Sequence, residues 1–139
     1  MLFEKGDLQA TLAKNDEIIG RLHQSVAVNL HKRVARALVN KGVTLGTLVR
    51  SEEAIAAYDE VLSRFGTAGE AALRERVARA LFNKGFPLAT LGRTQEAVAV
   101  LDELISRFGA SDVPPIKECV EAAKKRRAEL TKSGSEGQK

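Results

Sequence analysis

Tryptophan is absent from this chain of 139 residues, cysteine, methionine and tyrosine occur once each, and all aromatics together amount to 4%. A lone Cys119 excludes an internal disulfide and suits a reducing compartment. Scarce aromatics beside plentiful alanine favour helices over sheets. No apolar run approaches the ~18 residues that a membrane span needs, and the start of the chain lacks a signal-peptide pattern, so a cytoplasmic protein with no membrane partner is expected. Charge of one sign is also in short supply. A net +4 is mild for this length and does not by itself argue for nucleic acid. His23 and His31 have no carboxylate or thiol at metal-ligand spacing and read as surface residues. There is no phosphate-binding glycine loop, zinc-ligand pair or nucleophile motif, so neither catalysis nor a cofactor or metal is expected.

What the chain has instead is a copy of itself. Shifted by 43 residues, Val34–Gly66 falls on Val77–Gly109 without a gap, and 21 of the 33 aligned positions are identical. The shared residues include Asn40-Lys41-Gly42 with Asn83-Lys84-Gly85, Glu53-Ala54 with Glu96-Ala97, and Ser63-Arg64-Phe65-Gly66 with Ser106-Arg107-Phe108-Gly109. A worn third copy stands upstream, where Leu2-Phe3, Lys5-Gly6 and Ala10-Thr11-Leu12 match Leu81-Phe82, Lys84-Gly85 and Ala89-Thr90-Leu91. Repeats of this length are one supersecondary unit stacked on the next. With 44% apolar and 29% charged residues, one stacked domain can bury a core.

Apolar spacing makes each copy a pair of helices. Asn15-Asp16-Glu17 reads as a helix start, and a break is expected near Asn29, giving a first hairpin over residues 1–28. The second unit spans 30–66, with a cap at Ser51 and a left-handed stop at Gly66; the third spans 70–109, with a cap at Thr94 and a stop at Gly109. Pro87 lies inside a helix and predicts a kink. Asp112-Val113-Pro114-Pro115 opens a capping helix over 113–131, whose apolar stripe includes Ile116, Cys119, Val120, Ala123 and Leu130. The tail from 132 to 139 has no apolar residue and reads as disordered.

These residues resemble the tetratricopeptide repeat, two antiparallel helices with a small residue in the first and an alanine twelve positions later in the second. The pairs are Gly42 with Ala54 and Gly85 with Ala97, while the worn copy has Gly6 with Ile18. The run Leu91-Gly92-Arg93 followed by Glu96-Ala97 is typical of bacterial members. Leu38 and Leu81 fill the family's tryptophan slot, Ser51 and Thr94 its aromatic after the turn, and Gly66 and Gly109 its closing proline. The resemblance implies an all-α solenoid of about three hairpins with a C-terminal capping helix, acting as a non-enzymatic scaffold that holds a peptide or protein segment.

By the same resemblance the ligand groove is lined by the first helix of each pair, at Arg36, Val39, Asn40, Val43 and Thr47, then Arg79, Phe82, Asn83, Phe86 and Thr90. Asn40, Asn83, Arg36 and Arg79 fall on slots of the family's carboxylate clamp. Val43 and Phe86 stand where it has asparagine and Val39 and Phe82 where it has lysine, so a complete clamp is not expected. Charge divides by helix type: residues 29–48 sum to +4 and 69–92 to +2, whereas 49–68 sum to −2 and 93–111 to −1. First helices lining the groove would make it basic, suited to an acidic segment with apolar anchors at Phe82 and Phe86. The other functional expectations are nucleic-acid binding through the basic faces and Lys124-Lys125-Arg126-Arg127, and self-association into a homodimer through the N-terminal end, around Leu2, Phe3, Leu8 and Leu12.

Overall fold

A computed structural model describes residues 5–136, with side chains to residue 132. Five helices make up the described chain: α1 (Lys5–Thr47), α2 (Ser51–Phe65), α3 (Ala71–Thr90), α4 (Thr94–Phe108) and α5 (Pro114–Glu136). The described chain is all-α, a tandem helical repeat. It divides into two compact units, Met1–Arg33 and Val34–Lys139.

In the unit Val34–Lys139 the periodicity of the sequence becomes packing. Ala35, Val39, Gly42 and Leu45 recur every three or four residues and form the buried side of this part of α1. Opposite them α2 buries Ala54, Ile55, Tyr58, Val61 and Phe65. The pattern returns with α3, which buries Val77, Ala78, Leu81, Gly85 and Leu88, and with α4, which buries Ala97, Leu101, Leu104 and Phe108. Helix α3 packs against α2, α4 and α5, and α5 also packs against α4. Ile116, Val120, Ala123 and Leu130 of α5 complete the core.

The 43-residue period continues past the end of sequence identity. Lys84 of α3 bonds Asp59 of α2 at 2.6 Å, and Arg127 of α5 bonds Asp102 of α4; both partners are displaced by 43. Helix α5 therefore sits on α4 as α3 sits on α2, which is the placement expected of a capping helix. Two more cross-links tie the repeats together: Arg93 reaches Glu52 at 3.7 Å, and Arg107 donates to the Gly66 carbonyl.

Several expected boundaries differ. The chain does not turn back within residues 5–28 or break at Asn29, because α1 is continuous from Lys5 to Thr47. No Gly or Pro lies within four residues of Asn15 or Asn29, so nothing in the local sequence breaks the helix to make either residue a cap. Leu2 and Phe3 lie outside the described residues. The helix starts at Ser51 and Thr94 are real, but those residues are not the caps. Arg50 and Arg93 hold that position, and each grips the glutamate three residues on: Arg50 bonds Glu53 at 2.8 and 2.5 Å, Arg93 bonds Glu96 at 3.0 and 2.5 Å. This bond holds the Glu96 carboxyl below its ordinary range.

Gly66 and Gly109 end their helices in right-handed geometry, donating their N–H groups to the Leu62 and Ile105 carbonyls at 3.0 and 2.9 Å. The left-handed positions lie in the turns inside each hairpin, at Val49 (φ 58°) and Gly92 (φ 76°). There Arg50 N–H bonds Leu45 O and Val49 N–H bonds Gly46 O, and Arg93 and Gly92 repeat the arrangement on Leu88 and Ala89. Helix α3 runs on through Pro87 to Thr90. Helix α5 runs to Glu136, into the stretch expected to be a disordered tail; the last three residues lie outside the described chain.

Candidate functional site

Between α1, the start of α2 and α3 lies a cleft of about 260 Å³, lined by Val43, Gly46, Thr47, Ser51, Tyr58, Asn83, Phe86, Pro87 and Thr90. Five of the ten groove positions nominated from sequence meet here: Val43, Thr47, Asn83, Phe86 and Thr90. They converge because each repeats 3–4 residues from the last on its helix, which keeps them on one face. Thr47 and Thr90, equivalent in the two repeats, each donate their hydroxyl to the carbonyl four residues back, Val43 and Phe86, at 3.0 Å.

The other five positions fare differently. Val39 is 3% exposed and packs in the core, so it offers no surface to a ligand. Its register with Ala35, Gly42 and Leu45 turns it inward. Phe82, at the same register in α3, is half-buried and packs against the core, with its ring edge-to-face with Phe86 at 5.3 Å. Phe86 projects, 43% exposed. Arg36 and Asn40 are exposed on α1, and no acid occurs anywhere in residues 29–48. Arg79 is exposed but held by Glu75 at 3.1 Å, so it would have to exchange that partner to bind a ligand.

Four features escaped the sequence reading. Tyr58 comes from α2 yet lines the cleft; a residue of the second helix shows there only because Gly42 leaves room for its ring. Burial pushes its hydroxyl pKa from 10.0 up to about 12, so it stays a neutral phenol at physiological pH. Ser51, buried at the first position of α2, adds a second hydroxyl-bearing side chain to the lining. Pro87 has no N–H to give the Asn83 carbonyl, which leaves that acceptor without its usual helical donor on a wall of the cleft. Arg126 of α5 lays its guanidinium over the exposed Phe86 ring, 5.1 Å from the centroid. Arg126 stands 43 residues after Asn83, and that offset is the signal that would have found it.

The basic cluster at 124–127 is largely occupied within the molecule. Lys124 lies 3.6 Å from Glu121, Arg126 3.5 Å from Glu129, and Arg127 bonds Asp102. Cys119 is half-buried against the core, and burial pushes its thiol pKa up, away from the reactive thiolate. Among the described residues no group of His, Cys, Asp or Glu could hold a metal ion, and no helix is long and apolar enough to cross a membrane.

Residues 35–65, the last turns of α1 with α2, match the family model of the tetratricopeptide repeat. The match covers one helical pair of the chain; tetratricopeptide repeats generally mediate protein–protein interactions. No curated protein and no solved structure matches the chain.

Proposed function

We propose that the protein is a binding module that holds an acidic segment of a partner protein along α1 and α3, with one apolar side chain of that segment seated in the cleft. The observation that carries this reading is the cleft itself, which gathers residues of two repeats and is walled by the exposed Phe86 and Val43, with Arg126 over the Phe86 ring. Its volume, about 260 Å³, lies just under the ~300–1,000 Å³ typical of small-molecule pockets and suits an anchoring side chain. Thr47, Ser51, Tyr58, Asn83 and the Asn83 carbonyl offer neutral hydrogen bonds to the segment's backbone. Arg36, with no acid on its own stretch of helix, supplies charge for a carboxylate, and Arg126, spread over Phe86, can supply a second by exchanging Glu129 for the ligand.

The division of labour is testable. Charge raises the association rate and makes it salt-sensitive, whereas the desolvated anchor sets the dissociation rate. A fluorescent peptide of mixed Asp and Glu with a single Phe serves as the probe. Arg36→Ala with Arg79→Ala should weaken its binding mainly at low salt, and Phe86→Ala should weaken it about tenfold or more at every salt concentration, as for an interface hot spot. Equal binding by wild type and all of these variants would place the site elsewhere.

A further inference from the structure

The amino-terminal part of α1 carries an apolar line that nothing in the described chain covers. Leu8, Leu12, Ile19, Val26 and Leu30 are all at least half exposed. At 3.6 residues per turn these five point within about 20° of one another's mean direction, a single seam along the helix. A lone helix of this kind, with Gly20 in its middle, is marginal in water and calls for a partner.

Two features of the seam identify that partner. First, its order is palindromic: counting outward from Ile19, Leu12 and Val26 stand 7 residues away on either side, and Leu8 and Leu30 stand 11 away. A two-fold axis at Ile19 thus sets Leu8 of one chain opposite Leu30 of a second copy, Leu12 opposite Val26, and Ile19 opposite itself. Second, charge is divided about the same centre. Residues 5–17 hold Asp7, Asp16 and Glu17 against Lys5 and Lys14, whereas residues 18–33 hold Arg21, Lys32 and Arg33 with no acid. Antiparallel pairing sets the half of net charge −1 beside the half of net charge +3, with Glu17 opposite the Arg21 of the second copy as well as bonded to its own at 2.5 Å; parallel pairing would set +3 beside +3. We propose that residues 5–33 pair with the same segment of a second copy of this chain, antiparallel and centred on Ile19.

Light scattering on the full chain should give a dimer at micromolar concentration, and Ile19→Glu should give a monomer. Register is tested by oxidation in a Cys119→Ser background. Ile19→Cys should cross-link to itself, because the axis brings its two copies together. Leu8→Cys should not, its two copies lying about 33 Å apart at 1.5 Å per residue, while Leu8→Cys mixed with Leu30→Cys should. A monomeric wild type, a dimer that survives Ile19→Glu, or self-linking of Leu8→Cys as efficient as that of Ile19→Cys would each overturn the proposal. None of these readouts involves the cleft, so failure here and failure of the binding role are separable.

Discussion

The two copies of the repeat act as controls for each other, residue by residue. Val49 holds a left-handed turn at φ 58° where its counterpart is Gly92 at φ 76°. A β-branched residue pays about 1–2 kcal/mol for that geometry. Val49 is 71% exposed, so its side chain returns little by burial. Val49→Gly should therefore stabilise the protein by about 1 kcal/mol, once the glycine's extra freedom in the unfolded chain is set against the relieved strain. Thermal melting should show a rise of a few degrees, and a fall would mean that Val49 holds contacts worth more than its strain. Gly42 and Gly85 also part company. A Cβ at Gly42 would stand 2.6 Å from Tyr58 Cζ, whereas one at Gly85 would meet Leu101 Cδ2 at an ordinary 3.6 Å. Gly42→Ala should cost about 1–3 kcal/mol by overpacking, and Gly85→Ala should gain up to about 1 kcal/mol of helix propensity. Combining Gly42→Ala with Tyr58→Leu, which copies the second repeat, should recover most of the loss; denaturant titration of the four variants reads all of these terms.

At the scale of elements, the identity of residues 34–66 with 77–109 made α2, α3 and α4 legible, with their starts within a residue or so. Local chemistry was a poorer guide. Asn15-Asp16-Glu17 has every mark of a helix start and lies inside α1, because a capping side chain acts only where the chain has another reason to turn. Val39 was misplaced on the groove by family register, although the 3–4 spacing with Ala35 and Gly42 already marks the buried side. Tyr58 and Arg126 are hidden for another reason: Tyr58 lines the cleft from α2 and Arg126 reaches the Phe86 ring from α5, and such tertiary placement leaves no local pattern. The proposal that α5 caps the repeats rests on Asp102–Arg127 repeating Asp59–Lys84. It covers α3 and α4, including the fully buried Leu101 and Leu104. A chain ending at Ala110 should expose that surface and aggregate or melt well below the intact protein. Equal melting and a monodisperse monomer would mean that α5 is not a cap.

For the whole molecule, the division of charge between helix types has a structural use as well as a proposed functional one. Acids on α2 and α4 receive the cations of the following helices, Lys84, Arg93 and Arg127, which locks the repeats in order. Surface pairs of this kind are individually weak, so their value lies more in register than in stability. The part of α1 from residue 34 has no acid and no such partner in its own stretch, and it borders the cleft. An acidic segment is proposed to dock there, and amide chemical-shift mapping with the Asp/Glu peptide carrying one Phe reads that docking residue by residue. The expected result is saturable perturbation of residues 43–47 and 83–90, with further shifts at Arg126 and Tyr58. Perturbations confined to α2 and α4, or spread evenly over every basic surface without saturation, would contradict it.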